Sequence, residues 1–142
     1  MSRMTRDQAV ARLLDGIQND VTSCATIREL LERQFQAALR HRGAELTTLA
    51  EALMPQLDEM EGRRQQRVQL VRALFGQQAG MDQLFAGLAP AQRDAAAAAW
   101  EQLETLVRDC KSATTRNASL MAEQHSTMQR LLHGEDQTYA PR

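Results

Sequence analysis

VARLLDGIQNDVTSCATIRELLERQFQAALR, residues 10–40, places Val10, Leu14, Ile17, Val21, Cys24, Ile27, Leu31, Phe35 and Ala38 at steps of three and four. That spacing averages about 3.5 residues and holds one stripe of an α-helix against a neighbour along its whole length, so the stretch reads as an amphipathic, bundle-forming helix. Taken from Thr5 to His41, the helix is roughly 55 Å long at 1.5 Å per residue. Gly16 weakens it locally, and Gly43 offers the left-handed residue that closes a helix.

Outward from this helix the pattern repeats. A second helix is expected over about 46–75, opened by the capping-box spacing of Thr48 and Glu51 and carried by Leu53, Leu57, Met60, Val68 and Val71. Pro55 lies inside it and lacks a backbone donor, which predicts a kink or a restart; Arg64 falls on the apolar stripe, where it should snorkel to the edge. The short connection at Gly43 turns this helix back antiparallel to the first. Residues 76–89 hold three glycines and a small apolar group, Met81, Leu84, Phe85 and Leu88, which reads as a loop with one or two helical turns capped by Asp82. Pro90 suits a first helical position, and a last helix follows over about 90–133, roughly 63 Å long.

The expected architecture is therefore all-α: an elongated antiparallel bundle of three long helices in one domain, residues 1–134, with a short helical loop before the last helix and a flexible tail over 135–142. The up, down, up order makes the first and last helices parallel. Cys24 and Cys110 lie at similar distances from their helix starts, which predicts that they are neighbours.

Composition agrees. Val and Ile together supply seven residues and aromatics are 4%, so the strand-favouring types are scarce and a β-rich fold is excluded. Lys and Arg total 17 against 18 for Asp and Glu, leaving no basic excess for a phosphate backbone or an anionic membrane surface. Neither nucleic acid nor membrane insertion is expected, since no uncharged stretch is long enough to span a bilayer, and the chain reads as cytoplasmic. Two isolated cysteines without CxxC spacing read as small buried hydrophobes, not as a disulfide framework or a metal site.

Chemistry of the catalytic kind is not encoded. His41, His125 and His133 are scattered, and no HExxH, phosphate-binding glycine loop or nucleophile elbow occurs, so no enzyme, metal or cofactor is expected. Glu29 with Arg33, Glu59 with Arg63 and Glu104 with Arg108 are four apart and support exposed helix faces. The run Ala95 to Ala99 gives helix propensity and a narrow profile.

The last helix changes character halfway. Its stripe runs Trp100, Leu103, Val107 and Cys110, then Thr114, Asn117, Met121, Gln124, Met128 and Leu131. Beyond Cys110 the polar groups need partners before the stripe can be buried. Two readings stay open: the stripe packs on the first helix with its polar groups in solvent, or it forms a face for a partner's amphipathic helix, to which Met lends adaptable contacts.

CKSATTRNASLMAEQHSTMQRLLHGEDQTY, residues 110–139, resembles the C-terminal signature of the FlgN family of flagellar export chaperones. That signature is Asn-x-x-Asn-Gly-x-Leu-Ile in a long helix, then Leu-Leu-x-Gly, a spacer and Gln-Thr-Tyr-Gly. Asn117, Leu120, Met121, Leu131, Leu132, Gly134, Gln137, Thr138 and Tyr139 fit it; Thr114, Ala118 and Ala140 depart from it. The middle of the chain, residues 30–71, is similar to the family's helix, short turn, helix and Arg-rich return.

The resemblance implies a chaperone that holds the amphipathic C-terminal helices of hook-filament junction proteins, the hook-associated proteins. It would prevent their premature association and deliver them to the type III export gate and export ATPase components. It places client contact at Asn117, Leu120, Met121, Gln124, Met128, Leu131 and Leu132, and export-gate contact at Tyr139. Self-association into a homodimer stays open. The alternative is a helical-bundle adaptor or structural coiled-coil protein without an export role.

Overall fold

The computed structural model describes residues 5–139 in their backbone and residues 5–134 in their side chains. Four helices follow one another: α1 (Arg6–Leu39), α2 (Gly43–Phe75), α3 (Met81–Ala86) and α4 (Pro90–Tyr139). No strand occurs among the described residues.

α1 begins at a signal the periodicity did not single out. The Thr5 hydroxyl accepts from the Gln8 N–H at 3.1 Å while the Gln8 side chain accepts from the Thr5 N–H at 2.9 Å, a reciprocal capping box. Its other end corrects an expectation. The left-handed residue is His41, at φ 54°, and Gly43 is already the first residue of α2. His41 N–H donates to Ala38 O at 3.1 Å and Arg42 N–H to Ala37 O at 2.9 Å, the two bonds of a Schellman motif. A side chain in that conformation is strained. His41→Gly is therefore expected to raise stability by about 0.5–1 kcal/mol, the relief exceeding glycine's extra unfolded-state entropy. A urea midpoint that stays put or falls would show that the turn carries no such strain.

One further expectation for α2 is corrected. Thr48 is not a cap but sits a turn inside the helix, its hydroxyl on Ala44 O at 3.1 Å. Of the two outcomes expected at Pro55, the restart does not occur: α2 runs through it unbroken. The missing donor strands the Glu51 carbonyl on an exposed part of the helix, where water can satisfy it. Arg64, on the apolar stripe, carries its guanidinium out to the exposed edge and forks onto Glu61 with both bonds at 2.8 Å. That fork holds the Glu61 carboxyl well down, at about 2.

α1 is the central helix, packed lengthwise against both α2 and α4, while α2 and α4 hardly touch each other. Against α4 the register is parallel and repeats every seven residues: Cys24 meets Cys110, Leu31 meets Asn117 and Ala38 meets Gln124. Against α2 it is antiparallel, with Leu13 near Val71 and Leu31 near Leu53. α3 lies between α2 and α4 and drives Leu84 into the cluster of Leu13 and Val71; Phe85 meets Trp100 edge to face at 6.5 Å. Asp82 is in the first turn of α3, and the residue before the helix is Gly80, whose N–H donates to Gln83 Oε1 at 2.7 Å. The expected end of the last helix at 133 is passed: α4 stays helical through Gly134 to Tyr139.

Candidate partner-binding surface

Beyond Cys110 every polar group of the α4 seam has a partner. Thr114 returns its hydroxyl to Cys110 O at 2.8 Å. Asn117 is 1% exposed, and its amide donates to Leu31 O and to Gln34 Oε1, both at 2.8 Å. Gln124 donates to Ala38 O at 2.9 Å, beside the Schellman turn. Arg116 completes this end: its guanidinium lies 3.8 Å from the centre of the Phe35 ring and 3.0 Å from Glu32, whose carboxyl it holds below the usual range. These bonds satisfy groups that would otherwise be buried at a cost, and they fix α4 in register on α1.

α1 then stops at Leu39, and α4 goes on. From Gln124 to Tyr139 it continues for about 22 Å at 1.5 Å per residue. On this overhang Met128, Leu131 and Leu132 are 53%, 58% and 53% exposed. Where it leaves the body, His41, Leu120, Gln124, Met128 and Leu131 line a notch of about 300 Å³.

The expected contact residues thus fall into three groups. Met128, Leu131 and Leu132 form an open apolar edge at helical spacing, and Leu120 and Met121 are half-buried at its base. Asn117 and Gln124 face α1 and are engaged there. Tyr139 is the last helical residue, and its side chain lies outside the described ones.

Two features were not singled out from the sequence. Asp20 is fully buried, with Arg63 Nε at 2.5 Å and Arg67 Nη1 at 2.6 Å on its two oxygens. Arg63 also donates to Ser23 Oγ at 2.7 Å, and Arg67 lies 5.2 Å from the centre of the Trp100 ring. Arg63 therefore serves the interior more than its helix neighbour Glu59, which is 4.0 Å away. The signal was available: Leu13, Ile17, Asp20, Cys24, Ile27 and Leu31 form a second stripe on α1, and an acid within it calls for a cation across the interface.

The second feature is a groove of about 560 Å³ where α2 and α4 diverge. Leu57 and Met60 form one wall, Trp100, Leu103 and Val107 the other, and Cys24 and Ile27 lie at its floor. Periodicity marks these residues as apolar but does not tell a seam from an open cleft.

Among the described residues no group of three His, Cys, Asp or Glu could hold a metal ion, and no helix is long and apolar enough to cross a membrane. A family model described as FlgN protein matches residues 1–134. No curated protein and no solved structure matches the chain.

Proposed function

The chain belongs to the FlgN family, whose members are chaperones of flagellar assembly, and on that premise we propose that it holds the C-terminal amphipathic helices of hook-filament junction proteins on the overhang of α4. The observation that supports this reading is the length mismatch: α4 outlasts α1, and its apolar edge continues the line of a seam whose partner has ended. A client helix laid on that edge buries Met128, Leu131 and Leu132 in the position that α1 occupies further down. Leu120 and Met121 extend the contact toward the body. Asn117 and Gln124 act from behind, by fixing the direction in which α4 projects. The spacing of the three exposed anchors, with Leu131 and Leu132 three and four residues beyond Met128, is that of helix-to-helix recognition. Their burial prevents the client helix from associating with its own kind.

Delivery to the export gate and export ATPase, in the cytoplasm, completes the proposal, with Tyr139 as the gate contact. Tyr139→Ala should weaken gate binding while leaving client affinity unchanged; loss of both together would overturn that division.

The client surface is tested by replacing Met128, Leu131 and Leu132 together with serine. All three are more than half exposed, so the melting temperature should hold while affinity for a junction protein's C-terminal helix falls at least about tenfold, which is about 1.4 kcal/mol. Titration calorimetry reads the result. Unchanged affinity in this variant, with loss in a Leu57→Ser, Val107→Ser variant instead, would move the client to the groove and refute the overhang.

A further inference from the structure

We propose that Cys24 and Cys110 form a redox-sensitive staple: a two-electron oxidant of the peroxide class joins their sulfurs and fixes α4 to α1 at the floor of the α2–α4 groove. Both thiols are free, and their sulfurs lie 3.7 Å apart across the parallel seam. Cys110 Sγ also lies 3.5 Å from Cys24 O, so the Cys110 side chain is directed at Cys24 across the seam. A disulfide needs about 2.05 Å between sulfurs. The sulfurs therefore have to approach by less than about 2 Å, a movement the proposal assigns to the two side chains.

Access is asymmetric. Cys24 is 2% exposed, whereas Cys110 is half-buried, and both line the groove. Peroxide entering the groove therefore meets Cys110 first. The Cys110 thiolate attacks the peroxide O–O bond, giving the sulfenic acid and hydroxide, which takes up the thiol proton as water. The Cys24 sulfur then attacks the sulfenic sulfur, the S–S bond forms, and a second water leaves. Two thiols and one hydrogen peroxide thus become one disulfide and two waters, and a thiol reductant reverses the change.

Burial pushes both thiols up, Cys24 to about 12. The thiolate is scarce at neutral pH, so the staple closes slowly and acts under sustained oxidation, not in a rapid signal. Below the Cys110 pKa its rate should rise about tenfold per pH unit with the thiolate fraction. The ring it closes spans residues 24–110, most of the chain, which constrains the unfolded state strongly.

The test treats the purified full chain with excess hydrogen peroxide at pH 8. The intact mass should fall by about 2 Da, reactive thiols should vanish, and a protease digest should yield a peptide joining Cys24 to Cys110. The melting temperature should rise by at least about 5 °C and return on reduction. Cys110→Ser should show neither the mass loss nor the shift. Two surviving thiols, crosslinked dimers, or sulfinic acid in place of the internal crosslink would each overturn the proposal; because the digest is read on the unsubstituted chain, a poorly folding variant does not blunt it.

Discussion

Asp20→Ala is expected to lower folding stability by about 3–4 kcal/mol, a large part of what holds a domain of this size. The carboxylate is fully buried, and its oxygens are the convergence point of Arg63 and Arg67. Removing it leaves two cations side by side at the α1–α2 interface with no anion between them. They retain some access to solvent, at 23% and 11%, so the loss stays short of the full penalty for stranding buried charge. Arg67 would also lose the anchor that holds it over Trp100, loosening a cationic link from α2 to α4. Urea denaturation measures the loss. Removing all three charges, with Asp20→Leu, Arg63→Met and Arg67→Met, should recover most of it, because an apolar replacement avoids the desolvation cost. A loss below about 1 kcal/mol for Asp20→Ala alone would show that the network contributes little net stability.

Leu84→Ala is expected to cost about 3 kcal/mol, near the middle of the range for a buried leucine truncated to a methyl group. Leu84 is 0% exposed and is the side chain by which α3 enters the cluster of Leu13 and Val71. A six-residue helix has too few hydrogen bonds to persist by itself. The cavity should therefore be accompanied by release of α3, and backbone amides of Met81–Ala86 should lose protection from hydrogen exchange before those of α1. Equal protection in wild type and variant would mean that α3 is held by other contacts.

The seam between α1 and α4 was legible in the sequence because a 3.5-residue period has one structural meaning, and the up, down, up order that follows from a short first turn brought Cys24 to Cys110. The need of Asn117 and Gln124 for partners was legible as well, though not that α1 would supply them. Asp20 escaped because an acid in an apolar stripe argues against burial until its cations are known, and these lie more than forty residues away. His41 escaped because Gly43, two residues on, carries the stronger signal for a left-handed turn. The open edge of the overhang depends on where α1 stops relative to α4, a difference of lengths that no single helix records. The family resemblance pointed to this stretch of α4, and the structure separates its inward-facing from its outward-facing residues.

The constant spacing of 86 residues between partners across the α1–α4 seam has a consequence for how the molecule is made. α1 and α2 can pair as a hairpin as soon as both have left the ribosome, since their contacts close around a three-residue turn. α4 cannot dock until α1, α2 and α3 have all been synthesised ahead of it, and pairing it with α1 closes a loop of 86 residues. Through that interval the flank of α1 that carries Cys24 stays uncovered. The nascent hairpin is thus an apolar surface awaiting a helix, and the chain must shield itself before it can shield another.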